Sequence, residues 1–312
     1  MPKTKPLDQE IEKKSRARAP NIISVSRRTD IPAFYSDWFF NRLQEGFVQV
    51  KKSVNAKTAK KVSLAPEDVR CFVFWTKNPG PMLNRLDELN EYHYYFQFTL
   101  TPYLNGIEKF LQPKEKLLKT FIQLSEKVRR DKVIWRYDPI LLKDGIDIEY
   151  HKTEFARLFK ELQGHTQKCV ISFIDTRYLS AESKRQLKLK KITKKDMLGI
   201  GKEFQAIIKG TGIKIETCAE KIDLTDFDII PGRCIDGDLI GNITGENFTI
   251  AKDPSQRKAC GCVKSIDIGT DETCIHGCSF CYATRNEVQA RVNYHNHNEK
   301  SSLLIGNQAV KK

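Results

Sequence analysis

The chain has 312 residues, 40% hydrophobic and 10% aromatic, which is enough to build a substantial core and argues against a disordered chain. No stretch approaches the ~18–20 consecutive apolar residues of a membrane span, and the opening MPKTKPLDQEIEKKSRARAP lacks an apolar secretory run, so a cytoplasmic protein without membrane contact is expected. Net charge is +14, and half of that surplus falls in residues 181–214, where ten Lys and Arg stand against Glu182, Asp196 and Glu203.

Residues 1–20 mix charge with three prolines and read as a flexible basic tail, leaving 21–312 as a single domain. From Asn21 onward, short β-rich runs alternate with longer segments of helical period. The runs are 22–26, 71–75, 94–99, 133–137, 169–174, 213–217, 226–230 and 263–268; helices are expected over 36–45, 81–90, 113–130, 149–162 and 194–209. Eight such strands predict an α/β fold with a parallel sheet, a (β/α) TIM-type barrel, complete or partial.

Six of these strands end in polar clusters: Arg27-Arg28-Thr29-Asp30, Thr76-Lys77-Asn78-Pro79, Thr99-Leu100-Thr101-Pro102, Arg136-Tyr137-Asp138-Pro139, Asp175-Thr176-Arg177 and Glu216 to Glu220. In a barrel the C-terminal strand ends form the active-site face, so the clusters would converge there. Loops are polar in any fold, but Arg136 and Glu216 lie inside strand ends, where burial without partners is costly. The run Lys184-Arg185…Lys188…Lys190-Lys191…Lys194-Lys195 suits either phosphate contacts to nucleic acid or a solvated helix face.

Nine cysteines without an export signal point to thiolates used as metal ligands rather than to disulfides. Five of the nine fall in the cysteine-rich segment 255–285, and residues 274–281 read Cys-Ile-His-Gly-Cys-Ser-Phe-Cys. Cys274, Cys278 and Cys281 can hold three corners of a four-iron cubane and leave one iron open to chemistry. A zinc site using Cys278 and Cys281 with Cys274, His276, Cys260 or Cys262 remains the alternative. Cys218, Cys234, Cys260 and Cys262 could surround a second metal, an iron–sulfur cluster or zinc, or be small buried residues; Cys71 and Cys169 read as core.

The spacing of 274–281, with Phe280 before Cys281, resembles the signature of radical S-adenosylmethionine enzymes, and the string 273–283 is similar to its spore-photoproduct-lyase-like version. The segments Ser24 to Pro32, Val73 to Pro79, Ile134 to Ile140 and Ser265 to Gly269 resemble the family called domain of unknown function 1848. The first resemblance implies a [4Fe–4S] cluster on Cys274, Cys278 and Cys281, S-adenosylmethionine on the open iron, and reductive cleavage to a 5′-deoxyadenosyl radical fed by a flavodoxin- or ferredoxin-type donor. Phe280 would lie near the adenine, and Tyr282 would help to shape the pocket. Thr76, Lys77, Asn78, Thr99, Thr101 and Arg136 are candidates for holding the cofactor, and Arg136, Asp138 and Lys77 for catalysis. The cysteine loop of such enzymes follows the first strand, so its position near this C-terminus implies a circularly permuted barrel, with 263–268 beside 22–26. The substrate stays open, nucleic acid included, and so does a nucleic-acid-binding iron–sulfur or zinc protein without radical chemistry.

Overall fold

The computed structural model describes residues 20–306 except 52–55, 57 and 105. The expected tail lies outside the described residues apart from Pro20. Eight parallel strands form one sheet in the order β10-β1-β4-β5-β6-β7-β8-β9. They are β1 (Asn21–Val25), β4 (Val69–Thr76), β5 (Tyr94–Thr99), β6 (Val133–Ile140), β7 (Lys168–Phe173), β8 (Lys214–Thr217), β9 (Ile230–Pro231) and β10 (Ile266–Asp267). An antiparallel hairpin of β2 (Phe47–Lys51) and β3 (Ala59–Ser63) stands apart from it.

Side-chain alternation along the strands divides the interior in two. Ile23, Val25, Phe72, Phe74, Phe96, Phe98, Trp135, Tyr137 and Ile171 point into a large outer core. Against them pack helices α2 (Ser36–Gln44), α3 (Lys114–Val128), α4 (Ile148–Leu162) and α6 (Lys194–Ile208), which follow α1 (Ile31–Phe34) and flank the short α5 (Ala181–Leu187). The α4–α6 seam is aromatic: Phe155 stacks on Phe204 at 3.9 Å and on Trp135 at 4.9 Å. Side-chain caps define the starts of α4 and α6, Asp147 accepting from the Tyr150 amide and Thr193 forming a capping box with Asp196.

The opposite face carries Ile22, Cys71, Val73, Tyr95, Ile134 and Val170, and it is covered by residues 234–263, with α7 (Gly237–Thr244) among them. A doubly wound sheet has helices on both faces, whereas here the strand-connecting helices share one face and the other surrounds an inner segment, a TIM-barrel-like topology. No ladder joins β9 to β10 among the described residues, so hydrogen bonding leaves a seam between the sheet's edges. No described helix is long and apolar enough to cross a membrane.

Three expected elements differ. Residues Gly80–Leu89 form a 3₁₀ run rather than an α-helix; Leu83, Leu86 and Leu89 are three residues apart, the period at which 3₁₀ side chains eclipse. The expected strand 226–230 contributes only Ile230 to β9, because the Asp223 carboxylate accepts from the Thr225 amide at the head of a 3₁₀ turn and Asp228 is left-handed. The last expected strand shrinks to Ile266–Asp267, since Val263 bonds Ile235 of the inner segment. Its partner is β1, in parallel, with Ile23 opposite Ile266.

Candidate functional site

The cysteine loop leaves β10 and is tied to two neighbouring strand ends. His276 is buried with Nε2 2.8 Å from an Asp30 carboxylate oxygen, and the same oxygen accepts the Lys77 amide at 2.7 Å. Asp30 follows β1 and Lys77 follows β4, so one carboxylate links both ends to the loop. Tyr35 Oη donates to the Thr273 carbonyl, Tyr282 Oη to the Arg27 carbonyl, and the Ser279 amide to the Ile107 carbonyl. Gly277 allows the tight path: its φ is +66°, and a Cβ there would meet the Phe110 ring at 2.5 Å.

Cys274, Cys278 and Cys281 line a single cavity of about 420 Å³, which they share with Lys109, Glu287 and Ser183 of α5. Burial lifts all three thiols above the ordinary cysteine range; neighbouring thiols push Cys274 and Cys278 further, and Lys77 opposes the rise at Cys278 and Cys281. The Thr284 amide donates to Cys281 Sγ at 3.3 Å, an N–H···S bond that favours thiolate. Among the described residues no three or more His, Cys, Asp or Glu gather round one point as a metal ion's shell would. A cubane makes a different demand, because its thiolates bind separate corners and stand apart by the width of the cluster. Three thiols of one loop that open on a common cavity are the donor type and number such a cluster takes when one iron is left open. His276 Nδ1 and Ser279 Oγ are buried without a hydrogen-bond partner among the described residues, the kind of vacancy in polar pairing that a bound group can fill.

Lys77 belongs to a buried charge triad that the sequence did not announce. Its Nζ lies 2.6 Å from Glu108 Oε1 and 5.4 Å from the Phe280 ring centre, while Lys114 bonds the other Glu108 oxygen and Thr101 Oγ1 donates to Oε1 at 2.9 Å. Burial alone would raise the Glu108 carboxyl, yet the two lysines pull it below the usual carboxylate range. Lys77 is itself held well above its ordinary value, Glu108 outweighing desolvation.

Arg136 lies deeper, on the inner sheet face. It bonds Gln97 Oε1 at 3.2 Å, Cys234 Sγ at 2.9 Å and the Asp138 carboxylate, and sits 5.1 Å over Trp75. Asp138 also accepts from Ser172. Thr76 and Asn78 turn back on the backbone, accepting from the Asn78 and Gly80 amides, and half-buried Thr99 pairs with Arg136 across the β5–β6 ladder. Phe280 packs with Tyr103 at 6.2 Å, and Tyr282 is half-exposed. The structure thus brings Lys77, Thr101 and Phe280 to the loop and places Arg136 and Asp138 beneath it in a separate network.

Asp267 and Glu108 are polar residues that sequence reasoning missed, whereas Asp30 stood in the strand-end cluster 27–30 without an assigned role. Asp267 accepts from Ser24 and Ser26 Oγ at 2.9 and 2.6 Å and from the Arg27 amide at 2.8 Å, joining β10 to the end of β1. A carboxylate inside the short run Ser265 to Gly269 was a usable signal, of the same kind as Arg136 within β6. Glu108 sits in a connection without periodicity and gave none.

Two of the basic residues in 181–214, Lys184 and Arg185, are exposed on α5, and Glu182, Ser183 and Gln186 of that helix, with its N-cap Ser180, line the cysteine cavity. The model of a family described as Domain of unknown function (DUF1848) matches residues 22–283. No curated protein matches the chain. Among solved structures, a putative alpha-L-fucosidase from Bacteroides thetaiotaomicron is 11% identical, covering 59% of this chain and 74% of that one with a TM-score of 0.27, a likeness too slight to bear on fold or activity.

Proposed function

The chain belongs to the DUF1848 family, and from its cysteine loop we propose that it is a radical S-adenosylmethionine enzyme on a circularly permuted (β/α) barrel. Cys274, Cys278 and Cys281 hold a [4Fe–4S] cluster with one open iron. One observation carries the reading: three thiols on eight consecutive residues line one cavity, on a loop that leaves the strand paired with β1 and is anchored to the C-terminal ends of β1 and β4. When bound, cluster and S-adenosylmethionine supply reductive sulfonium cleavage to a 5′-deoxyadenosyl radical.

The chain's own residues prepare that site. Lys77 sets a positive charge beside Cys278, and the Glu108–Lys114 pair fixes its position. Phe280 gives an apolar wall between Lys77 and Tyr103. Trp75 Nε1, buried and without a hydrogen-bond partner among the described residues, is a donor for a bound carboxylate or ribose. Arg136 and Asp138 supply charge from below. A flavodoxin- or ferredoxin-type protein provides the electron.

A nucleic-acid substrate is favoured by α5, which lines the cavity on one side and presents Lys184 and Arg185 to solvent. The test of the main reading is 5′-deoxyadenosine formation by the anaerobically reconstituted, reduced protein given S-adenosylmethionine. Production is expected in the native chain and only background in Cys278→Ala; equal production by both overturns the proposal.

A further inference from the structure

The four remaining paired cysteines meet away from the loop. Cys218 Sγ lies 3.2 Å from Cys234 Sγ, and Cys234, Cys260 and Cys262 share one buried cluster against which Cys218 packs. Cys218 follows β8, Cys234 follows β9, and Cys260 and Cys262 end the inner segment that leads to β10. These are the two sides of the seam that the sheet's hydrogen bonds leave open.

We propose that Cys218, Cys234, Cys260 and Cys262 form a tetrathiolate site for one zinc ion that joins the two edges of the sheet. The 3.2 Å approach of Cys218 to Cys234 favours a single ion over a cluster. Zn–S bonds of ~2.3 Å in a tetrahedron set sulfurs ~3.8 Å apart, the scale of thiols in mutual contact, whereas a cubane holds its cysteines on separate corners. Zinc is bound more tightly than ferrous iron by such a shell and needs no redox partner.

The surroundings suit thiolates. The Arg136 guanidinium donates to Cys234 Sγ at 2.9 Å and the Ile235 amide to Cys262 Sγ at 3.3 Å, the outer-shell donors that orient metal-bound sulfur. A zinc tetrathiolate carries net negative charge, and Arg136, buried beside it, offsets part of that. Cys71 and Cys169 show the contrast: they are fully buried among apolar neighbours and approach no other cysteine among the described residues in the manner of Cys218 and Cys234. Cys218 and Cys234 touch because a protonated sulfur hydrogen-bonds its neighbour, and among the described residues the four sulfurs do not gather round one point; zinc binding would release the thiol protons and draw the sulfurs together.

The site is independent of the radical reading, and a metal inventory separates them. The full chain, purified anaerobically without added iron, is expected to hold one zinc per chain, and a Cys274→Ala/Cys278→Ala/Cys281→Ala variant to keep it. Cys234→Ser and Cys260→Ser are expected to lose it. Should those variants fail to fold, cobalt substitution of the native chain answers the question, with sulfur-to-cobalt charge transfer and tetrahedral ligand-field bands expected. Absence of zinc and of these bands, loss of zinc with the loop cysteines alone, or an iron–sulfide cluster surviving in the triple variant would overturn the assignment.

Discussion

Cys274, Cys278 and Cys281 are carried on eight consecutive residues and open onto a cavity, while Cys218, Cys234, Cys260 and Cys262 arrive from three segments and pack in one cluster inside the sheet, Cys218 touching Cys234. The loop sulfurs share a cavity wall with Lys109; of the inner sulfurs, Cys234 accepts from Arg136. On the proposed reading, the difference assigns the two sets different roles. A ligand set on one loop can leave a coordination position facing a cavity, whereas a set assembled across a seam spends its ligands on closure.

Breaking the comparison on the loop side has the largest expected effect. Cys278→Ala should reduce 5′-deoxyadenosine formation to background while leaving zinc content and thermal unfolding close to those of the native chain; loss of both metals together would erase the distinction. On the seam side, Cys234→Ser should cost on the order of 3–5 kcal/mol of stability through loss of the ion, read by chemical denaturation, with loop iron retained on reconstitution.

The Glu108 triad sharpens the contrast, since it fixes the loop's cation. Glu108→Gln leaves Lys77 and Lys114 buried without their anion and should cost about 3–5 kcal/mol. The native pair also sets an acid limit. Because the folded carboxyl titrates below its unfolded value of ~4.3, the pair stabilises fully above that pH, and the contribution is lost as pH falls through the lower folded value. Urea midpoints measured from neutral pH downward should drop steeply in the native chain below that point and less in Glu108→Gln.

The smallest effect belongs to His151, far from either cysteine set. Its Nε2 donates to the Leu141 carbonyl and Nδ1 accepts from Tyr137 Oη, each at 2.8 Å, so it is held as a neutral ring, and burial lowers its pKa. The unfolded ring takes up a proton first, so stability is full above ~6.5 and declines as pH falls below it. His151→Gln should flatten that stretch of the stability profile by about 1 kcal/mol and leave metal content unchanged.

Where side-chain period and burial agreed, the fold was legible. Tyr94–Thr99 is a strand with the expected limits because its alternate residues divide between the two faces of the sheet. The hairpin β2–β3 was missed although Val48 and Val50 alternate with polar neighbours, since a short run with one buried pair, Val48 and Val62, gives a weak signal. Residues 226–230 misled because Asp223 offers the backbone a turn that competes with the strand. The loop cysteines were legible from spacing alone. Their supports were not: Asp30 meets His276, and Glu108 meets Lys77 and Lys114, only through tertiary placement.

The most direct test of the central claim is the electron paramagnetic resonance spectrum of the reduced protein, recorded with and without S-adenosylmethionine. A [4Fe–4S] signal that changes shape when the cofactor is added, and that is absent from Cys278→Ala, is the predicted result. A spectrum indifferent to the cofactor, or no cubane signal from anaerobically reconstituted protein, would contradict it.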